Sequence, residues 1–244
     1  MPVSDLADSR AATDALLHAL KAGRWRPRAI AAFLAVAADR SLTQAALRPR
    51  ALGQLTALHS VLFAAACGRG GRNWVAASWT VSILHLGLLE DRDRLALADV
   101  LTLIRGNLPA LPAGSGPRSG LMALALDMAD GRIARRQGTV TPFGDYADTF
   151  ADAAFWTWFT LRREPHRTIR AAAVAAWVLP VVAVTATGVR RGRMPQRPRP
   201  ALLRPAAAMQ VLLAVRHLKR HLSAPSTATP AHLILKAGLG AARP

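Results

Sequence analysis

Ala171–Val189 reads AAAVAAWVLPVVAVTATGV, 19 residues without a charged side chain. A helix rises about 1.5 Å per residue, so this stretch reaches about 28 Å, close to the hydrocarbon thickness of a bilayer. Ala51–Gly68 and Asn73–Leu89 also lack Asp, Glu, Lys and Arg. Core helices of water-soluble domains are usually shorter and keep a polar stripe. Weaker apolar runs at 95–113, 119–129, 146–161 and 201–215 each carry or border a polar residue. The expected fold class is all-α, a polytopic membrane helical bundle.

Composition agrees. The chain has 244 residues, 52% of them apolar, and a mean hydropathy of +0.20. That apolar content excludes a disordered chain. The single cysteine, Cys67, excludes an internal disulfide framework and a Cys-rich zinc module. Lys and Arg total 32 against 14 acids, a net charge of +18, and only Lys21, Lys219 and Lys236 are lysines. The arginines fall between the apolar runs and form no amphipathic stripe. They suit loops facing an anionic leaflet better than a nucleic-acid surface, so no nucleic-acid partner is expected.

Three segments follow. Residues 1–50 carry Asp5, Asp8 and Asp14 without a continuous apolar stretch, which excludes a signal peptide. Leu6, Leu16, Leu17 and Leu20 line one side of a surface helix, and the basic Arg24–Arg50 stretch places this segment in the cytoplasm. Residues 51–90 form two candidate transmembrane helices around a turn at Arg69–Arg72. After the charged cluster at 90–94, residues 91–244 form a second unit of up to six spans. Gly and Pro at 112–117 predict a tight turn, and 190–200 (RRGRMPQRPRP) a basic loop.

The stretch Asp127–Asp152, DMADGRIARRQGTVTPFGDYADTFAD, holds five of the 14 acids in 26 residues. Ionisable groups beside membrane spans are costly and are functional candidates by default. At about 100° per residue, Asp127, Asp130, Gly131, Ala134 and Arg135 share one arc of about 140°. Gly144, Asp148 and Asp152 share one face of the next helix. A turn near 137–142 brings the two faces together. Facing carboxylates repel unless cations enter, and hard oxygen donors without His or Cys favour Mg²⁺, Mn²⁺ or Ca²⁺. Gly131, Ala134 and Gly144 clear bulk from these faces, and Arg135 offers a fork suited to phosphate. The set points to chemistry on a phosphate ester or anhydride.

These residues resemble, position for position, the signature of the CDP-alcohol phosphatidyltransferase family, D-x2-D-G-x2-A-R-x8-G-x3-D-x3-D. Eight fixed positions coincide by chance on the order of 10⁻⁹ times per window at ordinary residue usage. A looser likeness covers Ala98–Arg105 (ADVLTLIR), similar to the stretch that opens the family's first helix. The resemblance implies a six-helix membrane core, here with two extra N-terminal spans, in a homodimer. It implies a phospholipid-biosynthetic enzyme that joins a CDP-activated lipid, typically CDP-diacylglycerol, to an alcohol acceptor and releases CMP. Asp127, Asp130, Asp148 and Asp152 would then hold Mg²⁺ or Mn²⁺, with Asp152 also the catalytic base. Gly131 and Arg135 fall where the family binds the CDP group, with Ala134, Thr141 and Gly144 as further substrate contacts. The implied location is the cell membrane, multi-pass, with the site near the cytoplasmic face. The alternative is a non-enzymatic membrane protein that keeps the fold.

The chain departs from the family between Arg105 and Asp127. This region is tight and holds Asn107, Pro109, Pro112 and Pro117, so the first family helices are expected to be short, kinked or re-entrant. The basic loop at 162–170 must lie outside in this topology, against the usual charge bias. Outside the signature, Asp145 reads as a helix-dipole acid, and His59 and His85 as hydrogen-bonded packing. Trp156 and Trp158 read as interface or lipid-facing residues, Phe155 and Phe159 as packing or a site wall, and Cys67 as a buried filler.

Overall fold

The computed structural model describes residues 9–193 and 200–223. Leu6, the loop arginines Arg197 and Arg199, and residues 224–244 lie outside the described residues. The described residues are helical, without a strand. In order they form α1 (Ser9–Ala22), α2 (Pro27–Ala46), α3 (Pro49–Ala65), α4 (Gly68–Leu84), α5 (Leu97–Asn107), α6 (Pro112–Ser115), α7 (Ser119–Gln137), α8 (Pro142–Arg163), α9 (Arg167–Arg191) and α10 (Pro200–Ser223). Short 3₁₀ turns at Leu86–Leu89 and Leu108–Ala110 join the pieces. Pro27, Pro49, Pro112 and Pro142 open their helices, where a missing N–H costs nothing.

Two of the three apolar cores among the described residues surround α5 and α8. Ala45, Ala51, Leu55, Leu86, Leu89, Leu103 and Phe143 fasten the N-terminal helices to α5 and α8. Leu108, Ala123, Phe155, Trp156, Phe159, Ala173 and Leu213 join α7, α8, α9 and α10 around the end of α5. Small residues set the closest approaches. A Cβ on Gly106 of α5 would lie 3.2 Å from Ala151 Cβ of α8, and one on Gly120 of α7 would lie 3.0 Å from Ala214 of α10. Such contacts let helix backbones meet without bulky side chains between them. From α4, Trp74 Nε1 donates to Gly106 O at 3.0 Å, while Asn107 Nδ2 donates to Ser78 Oγ at 2.9 Å. The N-terminal helices thus brace the C-terminal end of α5.

Several expectations meet the structure here. Leu16, Leu17 and Leu20 share the buried side of α1, as their spacing predicts. The helices expected in 51–90 form, but they part at Ala66–Cys67; Arg69–Arg72 lie in the first turns of α4. Ala66 is extended, and the Cys67 N–H donates to Ala110 O at 2.8 Å, which ties the break to the end of α5. Cys67 is exposed at this break and is not a buried filler. Trp156 is 1% exposed within an aromatic cluster with Phe155 and Phe159, a core position and not an interface one. His59 is packed and hydrogen-bonded, to Leu55 O and Ser78 Oγ. The region before Asp127 is short and broken as expected. The 11 residues of α5 rise about 17 Å, too little to cross a bilayer.

Among the described residues one helix, α9, is long and apolar enough to cross a membrane. Its 25 residues rise about 37 Å. Only 6% of its most apolar stretch is buried, and Val178, Leu179 and Val182 face outward. A contiguous apolar face of this kind suits lipid better than water. The pair α2 and α3 passes the same length and composition test, but bends by 96° at its break.

The far end of α8 is tethered to α10 by Glu164, whose side chain is 1% exposed. It accepts from Arg216 Nε at 3.3 Å and lies 3.6 Å from Arg220 Nη2. Its backbone O accepts from Arg170 Nη2 at 2.8 Å. Burial pushes the Glu164 carboxyl up, but the bonds from Arg216 and the His166 N–H, with the charge of Arg220, outweigh it and hold it below its ordinary 4.5. Between those values the unfolded chain binds more protons, so stability rises with pH across the window and is lost as pH falls through the folded value. Glu164→Gln is expected to cost about 1–3 kcal/mol at pH 7. The gap from wild type should close once pH falls below the folded value, as read by thermal unfolding in detergent at pH 7 and in acid. A gap that persists unchanged in acid would remove Glu164 as the titrating clamp.

Candidate active site

The site lies where α5, α7 and α8 meet. Gly138 ends α7 in the left-handed region at φ 61°, which glycine adopts without steric cost, and Thr139 N–H closes the end on Ala134 O at 2.9 Å. Thr141 then caps α8: its Oγ1 accepts the Gly144 N–H at 3.0 Å. Asp145 sits in the first turn of α8, where an acid meets the positive end of the helix. This short turn folds α8 back, so that Asp148 and Asp152 face Asp127 and Asp130.

Arg105, on α5, occupies the centre of the four acids, with its side chain fully buried. Its Nη1 donates to Asp127 Oδ1 and lies 3.6 Å from Asp130 Oδ2. Its Nη2 donates to Asp148 Oδ1 at 2.6 Å and lies 3.3 Å from Asp152 Oδ1. One guanidinium fork thus spans both helices, which its fixed planar geometry allows and a lysine would not.

The acids divide into two kinds. Asp127, Asp148 and Asp152 each present one carboxylate oxygen within 4.8 Å of the others. Asp130 is turned aside: it is 5% exposed and accepts from Thr102 Oγ1 of α5 at 2.7 Å. Asp152 Oδ2 accepts from Gln210 Nε2 of α10 at 3.1 Å, while its Oδ1 is buried and takes no hydrogen bond. An all-oxygen donor set with an unsatisfied buried acceptor fits a hard divalent cation.

The other signature residues are placed as follows. Arg135 folds back over Gly131, its Nη1 lying 3.2 Å from where a Cβ would be. Ala134 is half-buried on the same helix. A Cβ on Gly144 would lie 3.0 Å from Asp99 Oδ1, so glycine lets α8 approach α5 there. Asp99 is itself buried, its Oδ2 accepting the Ala96 N–H at 2.8 Å. On the other side of the α5–α8 contact, an apolar cavity of about 250 Å³ opens against α4. Trp74, Leu103, Phe150 and Ala154 line it, and Thr102 reaches its wall. His85 stacks on Tyr146 at its rim, ring centroids 4.4 Å apart.

Four site-facing residues lie outside the signature: Asp99, Thr102 and Arg105 on α5, and Gln210 on α10. The first three recur every third residue within ADVLTLIR, a polar stripe in an apolar segment. Gln210 is the lone polar side chain of AAAMQVLLAV, residues 206–215. Both are detectable signals, because a polar group in such a run needs a partner.

No curated protein and no solved structure matches the chain. Residues 120–227 match the family model described as CDP-alcohol phosphatidyltransferase, a span that includes every signature residue from Asp127 to Asp152. Residues 120–227 of this chain are therefore similar to the CDP-alcohol phosphatidyltransferase family, whose enzymes are phosphotransferases of phospholipid synthesis.

Proposed function

We propose that the protein transfers a phosphatidyl group from a CDP-activated lipid, CDP-diacylglycerol by preference, to an alcohol acceptor and releases CMP. The observation that carries this reading is the convergence of four carboxylates from α7 and α8, with Asp152 Oδ1 buried and unsatisfied. Asp127, Asp148 and Asp152 would hold Mg²⁺ or Mn²⁺, and Asp130 would join them on leaving Thr102. The bound metal supplies charge for the diphosphate and for the departing CMP. Arg135, with Gly131 and Ala134 clearing its approach, holds the donor's phosphates; Gly144 and the Thr141 cap shape the turn above them. Asp152 takes the proton of the acceptor hydroxyl as its oxygen bonds to the lipid-side phosphorus and the bond to CMP breaks. The apolar cavity beside α5 offers room for an aliphatic chain. The protein works as a multi-pass membrane homodimer, with Arg132, Arg135 and Arg136 at the cytoplasmic face.

One observation favours a second reading, a non-enzymatic membrane protein that keeps the fold. Arg105 already neutralises part of the acidic cradle. The two readings separate in one experiment on purified protein in detergent. CMP release from CDP-diacylglycerol, with a panel of alcohol acceptors, should vanish in EDTA and return with Mg²⁺ or Mn²⁺. No CMP release under any metal, from protein that binds no Mn²⁺ by paramagnetic resonance, would leave the second reading.

A further inference from the structure

We propose that Gln210 is a positioning residue, which fixes the Asp152 carboxylate so that its Oδ1 is aimed into the metal cradle. The inference rests on the proposed function, since it concerns how the cradle is held. Gln210 comes from α10, two helices beyond the signature, and is 6% exposed. Its Nε2 donates to Asp152 Oδ2 at 3.1 Å, which engages that oxygen and fixes the rotation of the carboxylate about its Cβ–Cγ bond. The other oxygen is then the only one free to act, and it is the buried, unsatisfied one. Its nearest cation, Arg105 Nη2 at 3.3 Å, makes an ion pair with it but no hydrogen bond.

The surroundings make this contact a deliberate one. Every side chain from Ala206 to Val215 except Gln210 is apolar, and the neighbouring Leu213 and Ala214 are buried in the core against α7 and α8. An amide in such a run is costly unless its donor is used. Close packing of Gly120 on Ala214 brings α10 near enough for the amide to reach across to α8. Outer partners of metal-ligating side chains orient the ligand, and their loss typically costs 10–100-fold in metal affinity.

The test measures Mn²⁺ binding by paramagnetic resonance, on the full-length protein in detergent without substrate. Gln210→Met keeps the length and removes the donor; Gln210→Asn keeps the amide and withdraws it by one methylene. Each is expected to raise the Mn²⁺ Kd roughly tenfold. Leu213→Ala, which loosens the same helix without touching Asp152, is expected to leave the Kd within twofold of wild type. Two results overturn the inference: both Gln210 variants within twofold of wild type, or Leu213→Ala weakening Mn²⁺ as much as they do. Wild-type protein that binds no Mn²⁺ would overturn the metal reading itself along with it, and is thereby told apart from a failure of Gln210 alone.

Discussion

Asp152→Asn is expected to lower CMP release by roughly 10²–10⁴-fold, the usual cost of losing a general base. Asparagine keeps the shape and can still accept from Gln210 Nε2, so the fold and the α8–α10 contact should survive. What it cannot do is take a proton at the buried Oδ1 position. Asp127, Asp148 and Arg135 remain, so binding of a fluorescent CDP-lipid should change little. Rate and binding measured on the same preparation separate the roles. If CDP-lipid binding disappears while turnover per bound donor stays at the wild-type level, Asp152 is a metal ligand only. Asp145, about two turns earlier on α8, would then be the next base to examine.

Arg105→Met should strongly destabilise the metal-free protein. Its guanidinium is fully buried among four carboxylates, and methionine removes the charge while filling much of the space. Breaking a buried ion pair on one side leaves uncompensated charge, at a cost of about 3–5 kcal/mol. For a chain of this size that corresponds to a fall of roughly 10 °C in Tm. Millimolar Mg²⁺ or Mn²⁺ should recover most of the loss, because a divalent cation supplies the missing charge to the same oxygens. Arg105→Lys should fall in between, since an ammonium keeps the charge but cannot fork across α7 and α8. Thermal unfolding in EDTA and in Mg²⁺ decides it. An Arg105→Met protein as stable as wild type in EDTA would show that the acids do not depend on this cation.

Much of the site was legible along the chain because its constraints are local. A separation of three or four residues on a helix puts Asp127 beside Asp130, and Asp148 beside Asp152, whatever the helix packs against. The turn is equally local: a left-handed glycine at 138, a threonine cap at 141 and a proline at 142 stop one helix and start the next. The same holds for the break before α7, where Pro109, Pro112 and Pro117 leave no room for a continuous helix. Where a reading rested on composition alone it fared worse. Tryptophan in an apolar run suits both a lipid interface and a protein core, and packing with Phe155 and Phe159 put Trp156 in the core. Cys67 is exposed because the chain breaks there, just before the arginines at 69–72 where the sequence predicts the turn between the two helices.

What the sequence by itself determined is thus the helical class, the uncharged run that becomes α9, and which acids share each face of α7 and α8. These follow from side-chain period, capping and chain stiffness, all of which act within a few residues. Only the tertiary structure decided what stands between those faces. Arg105 enters from α5, 22 residues before Asp127, and Gln210 from α10, 58 residues after Asp152. It also turned Asp130 toward Thr102 and left Asp152 Oδ1 without a hydrogen bond. Those placements depend on how closely whole helices approach, at Gly106 against Ala151 and at Gly120 against Ala214. A close approach is a property of two surfaces meeting, and neither segment carries it alone.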